Sequence, residues 1–269
     1  MSTRLKIKLY IFLLLLLCSC ELEKTIEVEL PAQEKQLVAE AYAEKNKPLR
    51  LLLMETEAYF DSLRIPLLNE ARVILESGGI SDTLRYEPYL DLKGLKFYNY
   101  VSTRYPINDK GLMRLSIQDK NRKLEGTARF LPPPLLDTVE IQYSPAGDSA
   151  VRFLFWIQDF PGQSNFYRIM LNEDSLTGPG VLEFTFTDNN LDGQLFPVGT
   201  SYRFIKNKKY ILRLFHLEQQ YYLYLRSISS AERANGNPFA QPSTIKSPMT
   251  GNGYGIFTSL NETGRILSP

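Results

Sequence analysis

Few side chains in these 269 residues could do chemistry: two cysteines, a single histidine, and 30 aspartates and glutamates. A serine–histidine–aspartate triad would have to use His216, and no Gly-x-Ser-x-Gly elbow supplies the serine. A zinc site would need further His or Cys ligands, which the chain lacks once its N-terminus is processed. His216 therefore reads as a structural residue between a strand and a helix. Glu55 and Glu57 lie two apart on a strand pattern and would share a face. A carboxylate pair across a cleft is what glycoside hydrolysis uses, and solvated strand charges give the same pattern. In Asp188-Asn189-Asn190-Leu191-Asp192-Gly193, oxygens at the first, third and fifth places precede a glycine, as at the start of a calcium loop. Gly199 stands where such a loop needs its bidentate Glu, and a polar turn uses the same residue types. Asp188, Asn190 and Asp192 are thus a weak metal candidate, and no cofactor is expected.

Five triplets read Asp-(Ser/Thr)-apolar, with hydroxyls at Ser62, Thr83, Thr138, Ser149 and Ser175. The pattern resembles the O-glycosylation acceptor of exported proteins of the Bacteroidetes type; polar turns entering strands also produce it. Phe97-Tyr98-Asn99-Tyr100, with Tyr105, is aromatic enough for a ligand platform or for an ordinary strand face.

The N-terminus reads as an address. Arg4, Lys6 and Lys8 precede an unbroken apolar run from Leu9 to Cys18. That is a secretory signal, too short for a transmembrane helix. Leu17-Cys18-Ser19-Cys20 has the form of a lipobox, so residues 1–19 are expected to be removed and Cys20 lipidated, anchoring the chain to a membrane. Once Cys20 is acylated no second thiol remains for a disulfide. Processing removes three of the 31 basic residues and none of the 30 acidic ones, leaving a slightly acidic chain. Nucleic-acid binding, which favours a strongly basic face, is not expected.

The elements that would hold these groups are mostly strands. Alternating apolar and polar residues predict strands at Thr25–Leu30, Gln36–Ala43, Leu49–Thr56, Ala71–Glu76, Asp82–Tyr86, Leu112–Gln118 and Leu124–Leu131. After Pro132-Pro133-Pro134 the period resumes at Thr138–Tyr143, Val151–Gln158, Phe166–Leu171, Leu182–Thr187, Ser201–Lys206, Tyr210–Phe215 and Tyr254–Ser259. Leu217, Tyr221, Leu225 and Ile228 form one helical stripe ending by Gly236. The fold class is mainly all-β, with two sandwich-like domains. An Ig-like sandwich would span 20–131, a proline linker 132–136, and a β-rich domain with one helix 137–269. From Asn235 to Asn252 no period is visible, and Asn237, Pro238, Phe239 and Pro242 there are candidate partner-binding residues.

Several segments together resemble a large Bacteroidetes family of lipoproteins defined only by a domain of unknown function. They are Leu30-Pro31 with Leu37-Val38-Ala39-Glu40, the prolines with Leu136-Asp137-Thr138, Asn165-Phe166-Tyr167-Arg168, Leu191-Asp192-Gly193, and Asn237-Pro238-Phe239-Ala240-Gln241-Pro242 leading into Gly253-Tyr254-Gly255-Ile256-Phe257. Ala41 stands where a glycine is usual, and Pro248-Met249 where Asn-Ile is usual. The resemblance implies an outer-membrane lipoprotein, often encoded beside a TonB-dependent receptor, and carries over no catalytic residue. The expectation is a non-catalytic accessory of such a transporter, or a ligand-binding module for it. An adhesin or envelope-structural role is the alternative, ahead of a glycan-acting enzyme.

Overall fold

Period-two sequences become strands wherever one face can be buried, and among the described residues they build three sheets. A computed structural model describes residues 34–57, 66–92, 96–104, 111–176, 180–188, 191–235 and 243–269. Cys20 and the signal sequence, the strand expected at Thr25–Leu30, Ser62, Tyr105, Asn190, Asn237, Pro238, Phe239 and Pro242 lie outside the described residues.

The first strands in chain order are β1 (Leu37–Glu44), β2 (Arg50–Glu55), β3 (Arg72–Ser77), β4 (Ile80–Thr83), β5 (Arg85–Asp91), β6 (Lys96–Val101), β7 (Leu112–Asp119) and β8 (Arg122–Arg129). Beyond the prolines come β9 (Leu135–Tyr143), β10 (Ala150–Gln158), β11 (Phe166–Glu173), β12 (Leu182–Thr187), β13 (Leu195–Gly199), β14 (Phe204–Ile205) and β15 (Tyr210–Leu217). Helix α1 (Gln219–Ala234), β16 (Thr250–Gly251) and β17 (Gly253–Leu267) complete the described elements. The mainly β fold class is as expected. Among the described residues no helix is long and apolar enough to cross a membrane.

An eight-stranded sheet runs β12-β11-β15-β17-β1-β2-β6-β5. A five-stranded sheet, β16-β8-β7-β3-β4, and a four-stranded one, β9 and the β13/β14 pair flanking β10, complete the set. Alternation decides which residues go inside. In β1, Leu37, Ala39, Ala41 and Ala43 are fully buried while Glu40 and Glu44 turn away. In β10, Val151, Phe153, Phe155 and Ile157 are buried and Arg152 and Trp156 are not. One apolar cluster gathers residues of β1, β2, β3, β7 and β8. A second gathers β10, β11 and β15. A third lies under α1, where Tyr221, Tyr222 and Tyr224 meet Tyr42, Phe215 and Ile256.

The prolines thus separate two cores without separating two domains. Lys35–Pro269 is one compact unit. The reason is β17, whose first half pairs in parallel with β1 and whose second half pairs antiparallel with β15. Residues from beyond the prolines, Met249 and Phe257, are buried in the first core. The prolines serve as a pinned crossover: Pro132 O lies 3.0 Å from His216 Nδ1, and Thr263 Oγ1 donates to Pro134 O at 2.7 Å.

The parallel contact explains two glycines. Gly253 faces Leu37 and Gly255 faces Ala39. A Cβ would lie 2.1 Å from Leu37 O at the first and 1.9 Å from Ala39 O at the second, where φ is +150°. Ser247 satisfies the distorted backbone, its hydroxyl accepting from Gly255 N at 2.9 Å and contacting Gly255 O at 3.0 Å. Other boundaries moved. Leu217 ends β15 opposite Phe166 instead of starting the helix. The strand expected at Ser201–Lys206 shrinks to Phe204–Ile205, because β10 offers it only Ala150 and Val151 as partners. The strand expected at Tyr254–Ser259 extends to Leu267 along β15.

Candidate functional site

Two polar assemblies stand out, one buried and one half-exposed. The buried one grows from the β10–β11 turn. Asp159, which is 1% exposed, accepts the Tyr167 hydroxyl at 2.8 Å and the Gly193 amide at 2.9 Å. Asn165, equally buried, donates to Phe160 O at 2.8 Å and to Gln163 O at 3.0 Å. Its amide N–H goes to Asp188 Oδ2 at 2.8 Å. Asp192 Oδ1 accepts from Gly162 N at 2.7 Å. The calcium-like run therefore works as a clasp: Asp188 and Asp192 both hold the 160–165 turn through its backbone N–H groups. Among the described residues no three of His, Cys, Asp and Glu form a metal-holding group. Burial, reinforced by Asp159, pushes the Tyr167 phenol well above its ordinary range.

His216 belongs to the same clasp. Its ring is stacked between Phe160 and Tyr167, with centroids 5.1 and 5.3 Å away. Pro132 O and Asn165 Oδ1 can each only accept, and they lie 3.0 Å from Nδ1 and 3.1 Å from Nε2, so the neutral ring donates to just one of them. Burial lowers the imidazole below its ordinary value, against the opposing pull of Pro132 O and Asp159. A depressed folded value means that, as pH falls below the unfolded histidine value of about 6.5, the unfolded chain takes the proton first. Stability should be complete above that pH and decline below it. His216→Gln should flatten this part of the urea-midpoint profile between about pH 7 and 5. A profile of unchanged slope in the variant would assign the titration elsewhere.

The half-exposed assembly lies on the eight-stranded sheet beside α1. Arg168 spans from Glu183, which it meets at 2.6 Å, to the Tyr221 hydroxyl at 3.1 Å. Lys96 Nζ sits 4.4 Å from the centre of the Tyr42 ring and 4.0 Å from Glu40. Burial lowers the Lys96 ammonium, with Glu40 opposing. Arg50 joins Glu44 at 2.6 Å and Asp91 at 2.7 Å and lies 5.0 Å over the Tyr98 ring. Burial raises that phenol to about 12. Tyr42, Tyr98 and Tyr221 are buried beneath these groups, so the layer that meets solvent is one of paired charges, suited to polar contacts with a partner or ligand. Its cations were not singled out in the sequence. The usable signal was in β1, where Glu40, Tyr42 and Glu44 alternate with alanines.

The aromatic stretch divides among three roles. Tyr98 lies under Arg50, and Tyr100 is in the first core with its hydroxyl accepting from Ala71 N at 3.0 Å. Asn99, fully buried, replaces a strand where β2 and β6 diverge. Its Oδ1 accepts from Leu53 N at 2.7 Å, and its Nδ2 donates to Leu53 O at 2.8 Å and Leu68 O at 3.1 Å. Glu55 and Glu57 do share a face, where Lys35 joins them at 2.9 and 3.1 Å. Arg122 adds a 3.0 Å contact to Glu55. Burial would raise the Glu55 carboxyl, but hydrogen bonds from Lys35 and Arg122 prevail and hold it below the usual range. A general acid needs the opposite shift. Of the triplet hydroxyls, Thr83, Thr138, Ser149 and Ser175 are exposed. Asp82 instead caps a turn, accepting from the Thr103 and Arg104 amides at 2.9 and 3.1 Å.

Among the described residues, several segments that carried the family resemblance meet in these places. Leu37–Glu40 lies in register against Gly253–Ile256, and Asn165 and Gly193 are both in the clasp. A family model described as Domain of unknown function (DUF4249) matches residues 23–266. The chain belongs to this family. In this DUF4249 chain, the recognisable Gly253 and Gly255 lie where the backbone of β17 must approach that of β1. No curated protein matches the chain. A solved structure titled "Cytokine receptor complex - Crystal form 1A" aligns with 86% of this chain and 95% of its own at 10% identity, with a TM-score of 0.27.

Proposed function

We propose that this DUF4249 chain is a non-catalytic lipoprotein of the outer membrane or cell surface. It would act as an accessory partner of a TonB-dependent transporter, or as a ligand-binding module serving one. The N-terminal layout carries the reading: three cations, a ten-residue apolar run, and Leu17-Cys18-Ser19-Cys20. The family's resemblance to lipoproteins encoded beside such receptors supplies the partner. Two or more acyl chains on Cys20 would hold the protein stably, since each buried CH₂ contributes about 0.8 kcal/mol.

Two surfaces suit the partner. One is the paired-charge surface of Lys96, Glu40 and Arg50, which lies over the buried Tyr42 and Tyr98. The other is the segment with Asn237, Pro238, Phe239 and Pro242. Its flanks return to one helix, since Asn235 N donates to Ala231 O at 3.0 Å and Lys246 N to Ser227 Oγ at 2.9 Å. Exposure of Thr83, Thr138, Ser149 and Ser175 fits O-glycosylation on export.

Tagged protein should be recovered from mildly solubilised outer membranes with a stoichiometric TonB-dependent receptor, identified by mass spectrometry. Cys20→Ser should lose palmitate labelling and leave the membrane fraction. Recovery of the chain alone, even after crosslinking, would overturn the transporter reading in favour of an adhesin or envelope-structural role. Labelling that survives Cys20→Ser would overturn the lipid site.

A further inference from the structure

The four-stranded sheet has an edge that is long and uncovered. β9 pairs with β10 along its whole length, while β13 and β14 take the opposite side of β10, so β9 is terminal. Among the described residues, no backbone group of Leu135–Tyr143 bonds beyond β10. Other sheet edges are blunted, as exposed edges usually are. β5 carries Pro88 and a register break, β13 carries Pro197, and β4, β14 and β16 run four residues or fewer. Val181 O, at the entrance to β12, is taken by Arg203 at 3.2 Å. β9 has a single register break, next to Asp137. Beyond it, Thr138–Tyr143 contains no proline, lysine or arginine.

The side chains of this stretch are complementary to themselves. Consider an antiparallel pairing with a second copy, the two-fold axis passing through Ile141. Val139 then faces Tyr143 of the other chain, Glu140 faces Gln142, and Thr138 faces Ser144, with no like charges opposed. The pleat is also respected. Val139, Ile141 and Tyr143 share the face of Phe155, Phe153 and Val151 on β10, and Glu140 and Gln142 share the face of Leu154 and Arg152. Tyr143, 60% exposed in the single chain, would be covered by Val139 of the second copy. Arg152 Nε already donates to Gln142 Oε1 at 2.8 Å, so each Arg152 comes beside the Glu140 of its mate. Opposite charges therefore meet twice across the axis.

We infer that the chain forms a two-fold dimer by β9-to-β9 strand addition, joining two four-stranded sheets into one continuous sheet. A closed two-fold contact uses up the edge on both copies and so stops further addition.

The test uses the full mature chain. Ile141→Cys puts a thiol on the axis next to its own copy, whereas Val139→Cys faces position 143. In intact membranes treated with a short bifunctional thiol crosslinker, Ile141→Cys should give a covalent dimer and Val139→Cys should not, because the axial Cβ atoms lie about 5.5 Å apart and the two at position 139 much farther. Adding Glu140→Lys to Ile141→Cys should cut the dimer yield about tenfold, by setting a cation against Arg152 of the other copy. Unaltered protein in mild detergent should sediment with twice the chain mass at high concentration. That measurement decides the matter if the cysteine variants misfold. A single-chain mass throughout, or equal crosslinking at positions 139 and 141, would overturn the dimer. Either result is independent of whether a receptor is recovered.

Discussion

Gly255→Val is expected to cost the fold more than about 4 kcal/mol, in the range reached only by severe steric or burial defects. Its Cβ would sit 1.9 Å from Ala39 O, 2.8 Å from Ala39 C and 2.9 Å from Ala39 N, so the obstacle is backbone that cannot rotate away. The φ of +150° adds strain for a β-branched residue. Relief requires β1 and β17 to separate, and these are the two central strands of the eight-stranded sheet. A protein with an ordinary reserve of about 5–15 kcal/mol would be left mostly unfolded or aggregated. Gly255→Ala should be milder but still costly. Urea titration followed by Trp156 fluorescence measures the loss. Trp156 is the sole tryptophan and lies in β10, outside the sheet being disturbed. A Trp156 transition that moves with the far-ultraviolet signal would show that both cores unfold together. A Gly255→Val midpoint close to that of the unaltered chain would refute the close approach of the two strands.

The second large effect is expected at Asn99. Asn99→Leu keeps a similar volume but leaves Leu53 N–H and Leu68 C=O without this partner, and Leu53 C=O with only its 3.3 Å bond from Leu68 N. Each buried unpaired group costs about 1–3 kcal/mol, so a loss of about 3–5 kcal/mol is expected after local relaxation. Asn99→Asp offers a sharper check. The carboxylate can still accept from Leu53 N–H, yet it faces two carbonyl oxygens and is fully desolvated. That variant should be strongly destabilised at neutral pH and partly restored in acid, where a protonated carboxyl can donate once. Hydrogen exchange at the Leu53 amide would locate the defect. Unchanged protection there in Asn99→Leu would mean that the side chain does not carry this junction.

The contrast between these positions shows what one sequence can reveal. Alternation in Leu37–Ala43 or Val151–Gln158 identifies strands and their buried faces, because a strand with one wet face must alternate. It says nothing about which strand lies beside which. The pairing of β1 with β17 depends on backbone contact between the two ends of the domain, and only the spacing of Gly253 and Gly255 hinted at it. Asn99 was hidden for a similar reason. A polar residue between tyrosines reads as an outward strand position, whereas here its amide stands in for a missing strand. Asp188 and Asp192 were visible as oxygen donors, but their partners, the amides of Asn165 and Gly162, lie on another turn and leave no mark near them. The Arg50, Lys96 and Arg168 surface was missed because each cation comes from a different strand. The two cores on either side of the prolines were legible, but the sheet joining them was not.

The position of β1 and β17 also bears on how the chain reaches its final state. The middle of the largest sheet is built from the first and last described strands, so every early intermediate lacks its centre. A chain that emerges N-terminus first cannot complete this sheet until β17 arrives. Contacts between such distant segments form slowly, which leaves the polypeptide open and chaperone-accessible for longer. A product truncated before Gly253 would keep most of the sequence yet have no route to the native sheet, so premature termination even near the end should yield material fit only for proteolysis.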